Sequence, residues 1–215
     1  MKRIRIVGVV LVAIFATSAV VAASASAFTT FEAAEYPVKI KAEQKEENVF
    51  QVGTEASGKV ACKKATFTSG EYTAATPSVK VLPVYSECTV FGVVGGEVKM
   101  NGCEYELFAN EERENAKKEK GYDVKVVCPG LNVIEVKAAL CTVKVGPQEL
   151  SKVKYVNLAT VPPTVEVIDE VTKIAYKSNL QGVCPTEGKE ATYKGTERAE
   201  GVNPTETKKI GIKVK

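Results

Sequence analysis

From Val38 onward, much of the chain alternates apolar and polar residues with a period of two. Val38, Ile40 and Ala42 alternate with Lys39, Lys41 and Glu43, Val165 and Val167 flank Glu166, and Ile210, Ile212 and Val214 alternate with Lys209, Gly211 and Lys213. This pattern places apolar side chains on one face of a pleated strand and charged ones on the other. Shorter runs of strand character cover 49–52, 59–62, 66–68, 79–85, 88–94, 97–100, 132–138, 141–145, 153–158, 173–177 and 191–194. Turn residues separate many of these runs: Ser57-Gly58, Ser69-Gly70, Gly95-Gly96, Pro129-Gly130, Gly146-Pro147, Pro162-Pro163 and Asn203-Pro204. Short strands punctuated in this way predict an all-β fold, an antiparallel sandwich or barrel.

The charged stretch Glu111–Lys120 places acids before bases and is followed by Gly121, an order that suits a helix. Its one apolar residue, Ala116, gives it no face to dock on a core, so it reads as a solvated hairpin tip. That tip is also a candidate contact surface.

Composition sharpens the strand reading and divides the chain. Residues 28–215 hold 33 Val and Ile against 7 Leu, a balance that favours pleated sheet over helix. Residues 1–27 differ: Lys2, Arg3 and Arg5 precede an apolar run from Ile6 to Val21, followed by Ala25-Ser26-Ala27. Small residues at 25 and 27 meet the requirement for signal-peptide cleavage after Ala27. The expected organisation is a signal peptide over 1–27 and one disulfide-stabilised all-β domain over 28–215, secreted by bacterial export. The mature chain is expected to have no membrane span.

Removing the leader also removes the apparent basicity. It holds three of the 29 Lys and Arg and none of the 26 Asp and Glu, which leaves 26 of each sign. A neutral chain gives no argument for a nucleic-acid partner. The absence of His and Trp excludes Ser-His-Asp and Cys-His catalysis and every His-ligated metal site.

All six cysteines, Cys62, Cys88, Cys103, Cys128, Cys141 and Cys184, lie in the mature part. An even number in an oxidising compartment, with no C-x-x-C spacing, predicts three bridges rather than a metal site. With Cys103 set opposite Cys128, Tyr105 faces Val126 and Leu107 faces Val124, while Glu104, Glu106, Asp123 and Lys125 fall on the other side. One register thus groups the apolar partners. Cys62 and Cys88 can flank a hairpin folded near Ala74 to Pro77, which leaves Cys141 for Cys184. In the chain-entropy model each loop of this size contributes about 3.5–4 kcal/mol.

Candidate chemistry is sparse. Ser151-Lys152-Val153-Lys154 matches S-x-x-K, but that nucleophile needs a helix start and companion motifs that this chain lacks. Gly92-Val93-Val94-Gly95-Gly96 has neither the lysine nor the helix of a phosphate loop and reads as a tight turn. Paired carboxylates could work without His, yet with 24 Glu and only Asp123 and Asp169 the sequence selects no pair. Most Glu alternate with apolar residues or sit beside Lys, as on solvated strand faces. No catalytic, cofactor-binding or metal-binding residue is assigned, and the six cysteines are read as structural.

The order Gly58-Lys-Val-Ala-Cys62, Tyr85-Ser-Glu-Cys-Thr89, Val98-Lys-Met-Asn-Gly-Cys-Glu-Tyr105, Val124-Lys-Val-Val-Cys-Pro129, Cys141-Thr-Val143, Val183-Cys-Pro185 and Ala191-Thr-Tyr-Lys-Gly195 resembles a group of small six-cysteine exported proteins of soil actinobacteria. The resemblance spans nearly all of the mature chain. It implies bacterial export and a cysteine framework, and it carries no catalytic or binding residues.

The expected function is binding without chemistry, to a ligand at or outside the cell envelope. A barrel carrying a lipid or small molecule is the alternative, and a His-free carboxylate hydrolase is a third.

Overall fold

The computed structural model describes residues 30–53, 58–114, 120–179 and 184–215, so the proposed leader and cleavage site lie outside the described residues. Fourteen strands occur among the described residues: β1 (Phe31–Ala33), β2 (Val38–Gln51), β3 (Lys59–Tyr72), β4 (Ser78–Val90), β5 (Val93–Lys99), β6 (Glu104–Glu114), β7 (Lys120–Val127), β8 (Ile134–Ala138), β9 (Cys141–Val145), β10 (Gln148–Leu158), β11 (Thr164–Ser178), β12 (Gly188–Val202), β13 (Lys209–Ile210) and β14 (Ile212–Val214).

Eight of them close a ring of antiparallel pairs, β2-β3-β4-β6-β7-β10-β11-β12 and back to β2. The sheet closes on itself, so the fold is a barrel and not a sandwich. Five of these strands, β2, β3, β4, β11 and β12, run 13–15 residues, or roughly 45 Å at strand rise.

The remaining three positions in the wall are filled twice along this length. Toward one end β6, β7 and β10 bridge Ser78–Val81 of β4 to Thr164–Asp169 of β11. Toward the other, β5, β8 and β9 bridge Cys88–Val90 of β4 to Lys177–Ser178 of β11. Between the two fillings, residues 82–87 of β4 and 170–176 of β11 have no strand partner on that edge among the described residues. On β11 the Gln148 side chain patches the interruption: its Oε1 accepts from the Ala175 amide at 2.8 Å and its Nε2 donates to the Ala175 carbonyl at 3.1 Å.

The period-two residues do what alternation requires. Val38, Ile40 and Ala42 of β2, Val165 and Val167 of β11, and Val136 and Val143 of β8 and β9 enter one continuous core. The outer wall carries ion pairs such as Lys154–Glu170 (2.8 Å), Lys209–Glu200 (2.7 Å) and Lys125–Glu149 (3.2 Å). Each is worth little by itself, but they account for the abundant Lys and Glu.

A ribbon of β1 and β14 lies across one end of the barrel. Phe31 exchanges backbone hydrogen bonds with Thr76 in the β3–β4 turn, Asn157 bonds both backbone groups of Val214, and the Phe31 ring meets Tyr155 edge-on at 5.3 Å.

Several local expectations are corrected. Ser69-Gly70 lies inside β3, where Ser69 Oγ accepts from the Ile40 amide and donates to the Gly70 carbonyl, carrying the strand through a register shift. The turn expected at Gly95-Gly96 falls at Phe91 and Gly92, both at positive φ, and the two glycines belong to β5. The charged stretch, by contrast, keeps to the hairpin reading: its backbone continues the β6–β7 ladder out to Glu114 paired with Lys120, and the tip at 115–119 lies outside the described residues. Asp123, expected on the exposed side, is 1% exposed.

Candidate functional site

The inner face of β12 reads Ala191, Tyr193, Gly195, Glu197, Ala199 and Gly201, with mostly polar residues between them. An acid therefore occupies an inward slot of a strand that is otherwise small or aromatic on that face. Glu197 is 3% exposed. Gly195 makes its position possible: a Cβ there would lie 2.1 Å from Asn48 Oδ1 and 2.6 Å from Glu197 Oε1. Only a hydrogen in place of that side chain lets Asn48 from β2 and Glu197 from β12 share the space.

Three tyrosines cross the barrel at the same level. The Tyr85 hydroxyl lies 3.3 Å from that of Tyr105 and 3.0 Å from that of Tyr193, which in turn donates to Asn48 Oδ1. A carboxamide oxygen only accepts, so the direction of the chain is fixed: Tyr193 gives its proton to Asn48, Tyr85 gives its proton to Tyr193, and Tyr105 gives its proton to Tyr85. Asn48 Nδ2 donates to Gln44 Oε1 at 3.0 Å, and Gln44 Nε2 donates to the carbonyls of Cys62 and Lys63. The chain is thus grounded on β3. Burial pushes the Tyr105 hydroxyl up to about 12 and those of Tyr85 and Tyr193 well above their ordinary value, so all three remain protonated.

Every tyrosine proton in this chain is committed, and none serves the carboxylates. Asp169, from the inward face of β11, lies against Glu197. Burial raises both carboxyls, and the neighbouring Asp169 charge raises Glu197 further. Two buried acids in contact hold a proton between them near neutral pH, as like charges in a low dielectric cannot both form readily. The Asn48 amide is near enough to favour the charged form of Glu197 slightly, yet apart from the shared proton no donor among the described residues makes a hydrogen bond of good geometry to either Glu197 oxygen.

The cluster lines a cavity of about 140 Å³ inside the barrel. Apart from Asn48, the tyrosines and the two acids, its deep wall is mainly apolar, with residues such as Ala42, Val81, Val126, Val136 and Val167. The lining reaches the surface beside the β1–β14 ribbon, at Tyr36, Ala74 and Lys213. Tyr85, Tyr105, Asp169 and Tyr193 are half-buried and all line this cavity.

The cysteines pair as expected: Cys62–Cys88, Cys103–Cys128 and Cys141–Cys184. Cys62 stands opposite Cys88 in the β3–β4 ladder, and the β6–β7 register sets Tyr105 against Val126 and Leu107 against Val124. Cys103 and Cys128 mark two points where the chain passes between the two wall fillings. Asn101 and Gly102 take positive φ there, Asn101 Nδ2 donates to the Val133 carbonyl at 2.9 Å, and Asn132 Nδ2 returns a bond to the Asn101 carbonyl at 2.7 Å. The Asn-Gly-Cys and Cys-Pro elements of the sequence thus meet in one knot.

The other candidates are dispersed. Ser151 and Lys154 lie in β10, not at a helix start, with a bulge between them and Lys154 Nζ paired to Glu170. Asp169 pairs with Glu197, one glutamate among the 24 from which the sequence selected no partner. No group of three or more His, Cys, Asp or Glu able to hold a metal ion occurs among the described residues, and no helix among them is long and apolar enough to cross a membrane. No family model, curated protein or solved structure matches the chain.

Proposed function

We propose that this chain is an exported, disulfide-stapled β-barrel that binds a small, largely apolar molecule in its interior and does no chemistry on it. The observation that carries the reading is the cavity itself: about 140 Å³ of space at the level of a buried polar cluster, with a lining that reaches the surface at one end. An eight-stranded barrel has an interior just wide enough to be filled by side chains or to hold one small ligand. Apolar walls with a few convergent polar groups are the usual make-up of a ligand site. Against catalysis, the tyrosine hydroxyls are held protonated by burial, and their protons are committed to one another and to Asn48.

The test is native mass spectrometry of the exported protein, with thermal shifts against a panel of small apolar compounds. A bound or stabilising compound whose effect disappears in Ala199→Leu, which fills the cavity, is the expected result. A panel without effect on wild type, with no co-purified ligand, overturns the reading. The same spectra test export: processing after Ala27 gives an intact mass beginning at Phe28, and retention of residues 1–27 rejects it.

A further inference from the structure

The ligand's polar end can be read from what the cavity lacks. Glu197 is a carboxyl 3% exposed, set on the cavity wall, and beyond the proton it shares with Asp169 neither oxygen receives a well-formed hydrogen bond among the described residues. The hydroxyl protons of Tyr85, Tyr105 and Tyr193 are already placed elsewhere, and Asn48 has one N–H committed to Gln44. Asp169, from β11, is a second acid and brings no donor beyond the shared proton. The charged residues of the lining are Glu32, Asp169, Glu197 and Lys213, and Lys213 is paired with Glu32 at 3.4 Å. The deep part of the cavity therefore holds negative charge with no protein cation facing it. A buried carboxylate is costly unless it is paired and hydrogen-bonded.

Resting on the reading of the barrel as a carrier, we infer that its ligand is a small amphiphilic amine, whose ammonium group sits on the Asp169–Glu197 pair while its apolar body fills the space beside it. An ammonium has three donors and a full positive charge, which is what the pair lacks. A neutral alcohol can donate one hydrogen bond but leaves the charge uncompensated. A carboxylate ligand adds a further negative charge. The volume sets the size: an apolar cavity of about 150 Å³ takes a benzene-sized body, so the whole ligand has roughly six to eight non-hydrogen atoms.

The experiment compares benzylamine, benzyl alcohol and benzoate by calorimetry at neutral pH, with hexylamine and hexanol as a second matched set. The probes are run on wild type and on the double variant Asp169→Asn/Glu197→Gln, which keeps shape and volume and removes both carboxyls. The expected result is amine affinity at least about tenfold above the alcohol, no detectable benzoate binding, and an amine preference that collapses in the double variant while alcohol binding persists. One charge-assisted hydrogen bond supports a difference of that size. Alcohol binding equal to or tighter than amine binding in wild type overturns this inference and leaves the carrier reading standing. An amine preference unchanged in the folded double variant also overturns it, because the amine is then held by other acids. Failure of every probe to bind overturns both.

Discussion

Glu197 sets the pH behaviour of the barrel as well as its ligand preference. Burial and the Asp169 charge push its carboxyl up to about 10, so between the ordinary carboxylate range and that value the folded chain holds a proton that the unfolded chain has released. Stability from this group is fully present at and below about pH 4.5 and is lost as pH rises through the raised value. Glu197→Gln removes this group's titration and leaves that of Asp169. Urea unfolding curves of wild type and variant should nearly coincide near pH 4.5 and separate by about 1–3 kcal/mol in favour of Gln by pH 8. A wild type whose stability does not decline across that interval would contradict the shared proton. Gly195→Ala acts on the same space from two residues back along the same strand. Its Cβ would displace Asn48 Oδ1 and Glu197 Oε1, and a cost of about 1–3 kcal/mol is expected in the same assay. Glu197→Ala in the Gly195→Ala background should recover part of that loss by vacating the space.

At the scale of elements, the disulfides differ in what they hold. Cys62–Cys88 joins paired positions in a ladder that backbone bonds already define, whereas Cys103–Cys128 ties two points where the chain changes from one wall filling to the other. The double variant Cys103→Ser/Cys128→Ser should lose about 2–4 kcal/mol in guanidinium unfolding. Partial proteolysis of that variant should begin between Met100 and Val133, and cleavage confined elsewhere would argue against the knot. The Cys103–Cys128 bridge was legible in the sequence because the β6–β7 partners Tyr105, Leu107, Val124 and Val126 agree in phase with it, whereas Cys141–Cys184 followed only by elimination. Strand lengths were not: Ser69-Gly70 carries turn residues, but a local hydroxyl bond lets β3 pass through. Glu197 was also hidden among many glutamates on alternating strands. What distinguishes it is phase, since it falls in step with Tyr193, Gly195 and Ala199 rather than with Lys194 and Arg198. Asp169 likewise continues the inward series Val165, Val167 and Val171. Their meeting depends on the closed ring, which no single strand's pattern encodes.

For the whole molecule, the double filling of the wall has a dynamic consequence. Residues 82–87 of β4 and 170–176 of β11 form a belt where the ladder lapses on one edge, at the level of Tyr85 and Asp169. Amides without a strand partner exchange with solvent by small local openings, while those within continuous ladders wait for larger ones. Deuterium uptake should therefore be fast in this belt and slow in the two zones of complete ring on either side, and a guest seated on the carboxyl pair should slow the belt alone. Uniform protection along β4 and β11 would contradict this. The barrel would then breathe at its middle, close to the groups proposed to grip the guest, so a small molecule could leave through the wall without the ribbon at the end of the barrel coming undone.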